Sequence, residues 1–410
     1  MDAVTQSVRD LYEQFPYPSG PPVVRVGFDV RLLLSYGRRS RPREGPIQVL
    51  DAGCSRGVGL LACASLQPDV QFLGIDISRT GLKQAEEAAV EREIQNVRLQ
   101  EVDLMTLDGL EPPEGGFDVI FSSGVVHHLS DPARGLKNLA SVLAPHGVLS
   151  LMVYGDRTKF HHVARAVEAF VEDKLPLTEK LKLGRELVQV LARGTGEEPW
   201  AEAAGVDDVE FVDRYLHVQE ASYDVAGLWK LIDESDLSFL RWANGSAWNL
   251  GDRLGTGDTK ERFRKLDPLR QFQLLQEIRR PANLELCLCH ADNGPRPPSA
   301  LGDMEQAHFA VHPEIQFIIT TRNTWGATRI EEIAVRPPTG DPVVLTPGPV
   351  AHSAYLLQGQ NQPFTGKTLI DALTVAGFSP VEARQALLTL LQTDLVYEPH
   401  EIDVRPFVSE

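Results

Sequence analysis

Four residues, Asp51, Gly53, Cys54 and Gly57, follow one short apolar run (Ile47 to Leu50), and Asp76 and Ile77 close a second (Phe72 to Ile75). A strand that feeds a glycine turn and then the apolar start of a helix (Val58, Leu60, Leu61) forms the ligand crevice of an open α/β sheet. Gly53 has no Cβ, so the backbone can bend sharply there and a ligand can come close. Asp76, at the tip of the second strand, is placed to accept hydrogen bonds from both hydroxyls of a ribose. A nucleoside-containing ligand is the chemistry these residue types and spacings suit.

Two common nucleotide motifs fail. The dinucleotide fingerprint needs glycine at position 55, where Ser55 stands, and no Gly-Lys-Ser/Thr follows the first strand as a P-loop requires. Gly366-Lys367-Thr368 has Asn361 where the P-loop has its first glycine. What remains is a series: Asp51-x-Gly53-Cys54-x-x-Gly57, Asp76, Val102-Asp103-Leu104, Phe117 through Ser122, Ser123 and His127-His128-Leu129, and Leu143-Ala144-Pro145-His146-Gly147-Val148-Leu149. In order and spacing this series resembles the class I S-adenosylmethionine-dependent methyltransferases. The resemblance rests on five motifs rather than one glycine turn. It implies a Rossmann-like seven-stranded α/β sheet and S-adenosyl-L-methionine as cofactor. It also implies that Asp51, Gly53, Cys54, Gly57, Asp76, Ile77, Asp103, Leu104, Ser122 and Ser123 bind that cofactor, Asp103 reaching the adenine amino group.

Methyl transfer from a sulfonium is an in-line displacement at carbon, so positioning the acceptor and excluding water are the main tasks. If the acceptor is an amine cation, some group must take its proton. His127, His128, Tyr154, Tyr12 and Tyr17 are the groups the sequence places best for that role. Tyr12 and Tyr17 belong to Tyr12-Glu13-Gln14-Phe15-Pro16-Tyr17-Pro18-Ser19, whose two prolines stop the helix begun at Ala3. The run reads as a hydrophobic plug or as a lid over the cofactor, and the two are compatible. It is similar to the leader of bacterial methyltransferases with an added C-terminal domain, protein-lysine methyltransferases of outer-membrane proteins among them. That group has a histidine-containing stretch next, whereas Val23-Val24-Arg25-Val26 follows here.

The elements that must position these groups follow in order. Strands are expected over 47–51, 70–76, 97–102, 117–121 and 147–154, with a helix over 57–66 and another capped by Ser78. Leu237–Trp242 and Asn283–His290 alternate and supply the sixth and seventh strands. Helical insertions fall at about 156–236 and 258–280, over the edge where specificity is set. The chain thus divides into an N-terminal lid or cap segment (1–46), a methyltransferase domain (47–292) and an accessory α+β domain (300–410), with a linker over 293–299. In the accessory domain a helix over 368–376, a capping box at Ser379 and Glu382, a second helix and a strand at Leu395–Tyr397 give a winged-helix-like outline.

Bulk properties narrow the partners. A net charge of −17 disfavours a nucleic-acid substrate, since phosphates would be repelled. The basic group Arg38, Arg39, Arg41 and Arg43 sits in a Pro/Gly loop and reads as solvated. Four cysteines make no disulfide framework, and Cys287-x-Cys289-His290 lacks zinc-ligand spacing, so no metal is expected. With no apolar run of membrane-spanning length and no secretory leader, a cytoplasmic location is expected. The partner is a methyl acceptor, a protein side-chain amine or a small metabolite, and a homodimer remains open. The alternative is a non-catalytic S-adenosylmethionine-binding protein whose C-terminal domain docks a partner or DNA; formation of S-adenosylhomocysteine separates the two. In calorimetry, Asp76→Ala is expected to abolish cofactor binding, and unchanged affinity would remove the ribose assignment.

Overall fold

Near-continuous apolar runs become strands buried on both faces of a parallel sheet. In the computed structural model these are β1 (Gln48–Ala52), β2 (Gln71–Asp76), β4 (Phe117–Ser123) and β5 (Leu143–Tyr154), while β3 (Val97–Glu101), at the edge of the sheet, alternates apolar and polar residues and is only half-buried. β6 (Ser238–Trp242) and β7 (Asn283–Cys289) complete a seven-stranded sheet of order β3-β2-β1-β4-β5-β7-β6. β1 to β5 run parallel, while β7 is antiparallel to both β5 and β6. The order reverses between β1 and β4, which opens a crevice at their carboxyl ends. The structure describes residues 1–23, 28–41, 45–171, 174–248, 257–297, 303–324, 327–336, 342–360 and 362–400. Val24 to Val26, Arg43 and the linker residues Pro298 and Ser299 lie outside them, as does Asn361.

Side chains alternate across the sheet with period two. Leu50 and Ile120 enter a core completed by α5 (Pro132–Val142) and α10 (Val225–Asp233). Val49, Val119 and Phe121 enter the opposite core, shared with α2 (Val30–Ser35), α3 (Val58–Leu66) and α4 (Arg79–Glu91). The first 46 residues therefore do two jobs. α1 (Ala3–Gln14) lies over the crevice side, whereas α2 is a core helix with Val30, Leu32 and Leu33 buried. Its six residues, four of them apolar, make too few turns to show a helical period, so the helix is not legible in the sequence.

The 156–236 insertion forms α6 (Thr158–Phe170), α7 (Leu177–Thr195), α8 (Glu198–Gly205) and α9 (Asp208–Tyr215) before α10. Leu11 of α1 joins Val163, Val167, Phe211 and Val212 of this insertion in one core. The second insertion holds α11 (Asp258–Arg264) and α12 (Pro268–Arg279). β5 begins four residues earlier than the 147–154 expected, at Leu143, with a register irregularity against β4 between Phe117 and Val119. Pro145 and Gly147 read as a turn; they fall inside that irregularity, between the Phe117–Leu143 and Val119–Val148 pairs, and the strand is carried past them by the pairing on either side.

Towards the C-terminus, β8 (His308–Val311), β12 (Phe364–Thr365) and β13 (Val396–Tyr397) form one small sheet; β9 (Gln316–Thr324), β10 (Ala327–Arg336) and β11 (Val343–Val344) form another. With α13 (Pro349–Leu357), α14 (Gly366–Val375) and α15 (Pro380–Gln392) they enclose a core of their own. The Ser379–Glu382 capping box is present. Arg241 of β6 ties this part to the large sheet, with Nη2 donating to Asp394 Oδ2 at 2.6 Å and the guanidinium 4.0 Å above the Tyr36 ring. Among the described residues no helix is long and apolar enough to cross a membrane. Asp394 has a left-handed backbone (φ 57°), which asparagine also tolerates, so Asp394→Asn tests the charge alone. Stability in urea should fall by about 1–3 kcal/mol, the partial exposure of the pair keeping the loss at the low end for a buried ion pair.

Candidate active site

The turn after β1 is built by strain that only small residues bear. Gly53 has φ +85° and Gly57 φ +70°, and a Cβ on Gly53 would stand 2.3 Å from Val125 Cγ2. The Gly53 and Cys54 amides donate to the Ile75 carbonyl at 2.8 and 3.0 Å, locking the turn to β2. Asp76 then fastens it from the side: Oδ2 accepts from the Ser55 amide and Oδ1 from the Ser78 amide, both at 2.8 Å. Asp76 is thus a structural clamp as well as a ribose candidate, its remaining lone pairs being free for a ligand. Burial raises its pKa to about 6 against the lowering effect of those two amides.

A cavity of about 460 Å³ opens at the carboxyl ends of the parallel strands. Asp51, Gly53, Cys54, Asp76, Ile77, Asp103, Leu104 and Ser123 line it, as do Tyr12, Tyr17, His128 and Tyr154. Gly57, Ser122 and His127 are not on its wall. Gly57 starts α3 instead, and Ser122 is fully buried on the strand beside Leu151. His127 is fully buried too, its ring 3.8 Å from that of Tyr154 and both nitrogens without a hydrogen-bond partner. Burial, then the neighbouring His128, holds its pKa well below the usual range, so it stays neutral behind the cavity wall.

The end of α1 is fastened beside Asp76. Glu13 accepts from the Arg79 and Thr80 amides at 2.6 and 3.2 Å, capping α4 together with Ser78. This brings Tyr12 over the cavity, where a buried carboxylate absent from the sequence reading's site meets it. Tyr12 Oη donates to Asp213 Oδ1 at 3.0 Å, and Tyr154 Oη donates to Oδ2 at 3.4 Å. Asp213 is 2 % exposed, and burial raises its pKa to about 7, with Glu210 adding to the rise and Tyr12 and Arg157 opposing it. The available signal was an aspartate on the apolar face of α9 beside Phe211, Val212 and Tyr215.

One peptide fixes two histidines. The Gln219 amide donates to His217 Nδ1 at 3.1 Å, so neutral His217 carries its proton on Nε2 and donates to Tyr12 Oη at 3.1 Å. The Gln219 carbonyl accepts from His128 Nδ1 at 2.7 Å, which leaves the His128 Nε2 lone pair buried and unpartnered. Burial lowers the His128 pKa to about 4. His128, Asp213 and His217 bring one possible ligand atom each within 4.8 Å of one another. The proton on His217 Nε2 and the tyrosine hydroxyls on Asp213 engage two of these residues in hydrogen bonds.

A family model described as a methyltransferase domain matches residues 50–149. An uncharacterized protein of Synechococcus sp. is 32% identical over 293 residues, which is 67% of this chain and 69% of that protein. The chain belongs to the class I S-adenosylmethionine-dependent methyltransferases. A ubiquinone biosynthesis O-methyltransferase of Albidiferax ferrireducens is 34% identical over 100 residues, 24% of this chain and 38% of that enzyme. In fold, the methyltransferase matches PKMT2 from Rickettsia typhi in complex with AdoHcy, with TM-score 0.63 and 17% identity over 97% of this chain and 76% of that one. Its cofactor is S-adenosylmethionine. The cavity suits that molecule: acidic groups end β1 and β2 and follow β3, the Ser55 hydroxyl beside them is buried without a partner, and Ile77 and Leu104 offer apolar faces.

Because the folded methyltransferase favours neutral Asp213, that group's contribution to stability is full below the ordinary pKa of 3.8 and is lost as pH rises to about 7. Asp213→Asn escapes the loss. The melting temperature of the variant minus that of the wild type should therefore increase from pH 5 to pH 8; a pH-independent difference would contradict the raised pKa.

Proposed function

We propose that this methyltransferase moves the methyl group of S-adenosylmethionine to a nucleophile that must surrender a proton, an amine of a protein side chain or of a small metabolite. The observation that carries the reading is the buried Asp213 carboxylate, held by Tyr12 and Tyr154 on the wall of the cofactor cavity. Asp51, Gly53, Cys54, Asp76, Ile77, Asp103, Leu104 and Ser123 hold the cofactor, while Gly57 and Ser122 support it from behind. When bound, the cofactor supplies an electrophilic methyl on a positively charged sulfur. An ammonium acceptor first gives a proton to Asp213 or to His128, both residues of the cavity wall. The freed lone pair then forms the new N–C bond as the S–C bond breaks, its electrons going to sulfur. Tyr12, Tyr17 and Tyr154 orient the acceptor and keep water away; burial holds all three hydroxyls above the usual tyrosine range, so they remain donors.

The reading keeps the division into a lid segment at 1–46, a catalytic domain at 47–292 and an accessory domain at 300–410. The winged-helix-like run of the last part suits packing or partner docking better than nucleic acid. Arg384 is the one basic residue of α15, and it already pairs with Glu305, Nε to Oε1 at 3.1 Å.

Turnover measured as S-adenosylhomocysteine release should rise with pH through about 7, where Asp213 becomes able to accept a proton. Asp213→Asn should lower kcat by about 100-fold, the usual worth of a positioned proton acceptor, and remove that inflection while cofactor affinity holds. A variant with the wild-type pH profile would exclude Asp213 as the acceptor of the proton.

A further inference from the structure

One cation at the acceptor end has no task in the transfer proposed above. Arg157 lies just past β5, lines the cavity and is 6 % exposed. Its guanidinium carbon sits 3.8 Å from the centroid of the Tyr154 ring and 4.2 Å from that of Phe160. Ring contacts satisfy the face of a guanidinium but not the N–H groups in its plane. Nε and Nη2 are buried with no hydrogen-bond partner. Glu220 Oε1 stands 3.7 Å from Nε, too far for a hydrogen bond, and the same oxygen is 2.8 Å from His161 Nε2. Arg214, which shares this end of the cavity, is already engaged by Glu210 at 2.7 Å and Glu202 at 3.4 Å.

Buried N–H groups of a cation are costly to leave unmade. We propose that Arg157 anchors a carboxylate or phosphate on a small acceptor molecule, whose nucleophile then faces Asp213 and His128. The inference rests on the assignment of this end of the cavity to the acceptor. A guanidinium edge presents parallel N–H donors that match two oxygens of either anion. Its burial discriminates between the two acceptor classes. A lysine side chain carries no anion, and acidic neighbours of such a lysine would stay outside, where Arg157 is not exposed. The acids that face the adenosine are also remote. β5 is two strands from β1, roughly 10 Å at the usual strand spacing, and β2 is one strand further.

The test is calorimetry on the full chain saturated with S-adenosylhomocysteine, titrated with benzoate, phenyl phosphate and the neutral isostere benzamide. At least one anion should bind about tenfold or more tightly than benzamide, and the stronger of the two tells carboxylate from phosphate. Arg157→Gln should erase that preference and Arg157→Lys keep part of it, with S-adenosylhomocysteine affinity unchanged in both. Should the glutamine variant not fold, the wild-type preference together with the lysine variant decides. Equal binding of benzoate, phenyl phosphate and benzamide overturns the proposal. So does an equal loss of S-adenosylhomocysteine affinity in the glutamine variant, which would give Arg157 to the donor's own carboxylate. A lysine peptide flanked by glutamates that binds through Arg157 when both small anions fail would overturn it in favour of a protein acceptor. Failure of the wild type to bind S-adenosylhomocysteine would instead refute the placement of the cofactor.

Discussion

A single buried carboxylate ties together three parts of the chain at the wall of the cavity. Asp213 receives hydroxyls from Tyr12 on the N-terminal helix and Tyr154 at the end of the fifth strand, segments 201 and 59 residues away in the chain. Taking a carboxylate out of water costs several kcal/mol unless hydrogen bonds replace the lost solvent. Two tyrosines offset only part of that cost, and the remainder appears as a raised pKa. The same burial fixes where α1, the end of β5 and the insertion must meet.

Around that point the polar groups are wired in one direction. The Gln219 peptide donates to one histidine and accepts from the other, so each imidazole has a defined tautomer without any charged partner. His217 hands its proton towards Tyr12, and Tyr12 towards Asp213. His128, a residue of the cavity wall, keeps a buried lone pair on Nε2 without a partner. Burial, and then the His128 ring stacked 3.8 Å away, hold the His217 pKa well below the usual range, and burial lowers that of His128, which preserves the pattern. Preorganisation of this kind suits a reaction in which positioning supplies most of the rate.

The cofactor side follows a different logic, in which the backbone does most of the holding. Asp76 spends half its hydrogen-bond capacity on the Ser55 and Ser78 amides, so the glycine turn and the start of α4 move as one piece. Glu13 extends that piece to the lid.

The sequence by itself determined the sheet and the cofactor edge. Continuous apolar runs, a glycine turn and acidic strand tips are local signals, and even the sixth and seventh strands were legible from alternation and bounding turns. The capping box at Ser379 was legible for the same reason, all its partners lying within four residues. Tertiary structure alone decided that α2 is core rather than lid, because its apolar run is too short to show a period. It alone put His127 behind Tyr154 and His128 on the cavity, since adjacent residues in a short turn carry no periodicity that separates wall from core. Asp213 and Arg157 come from an insertion whose helices are ordinary amphipathic segments on their own. Their chemistry arises only when folding buries a carboxylate under two tyrosines and a guanidinium against two aromatic rings, and burial is set by distant chain that no local pattern records.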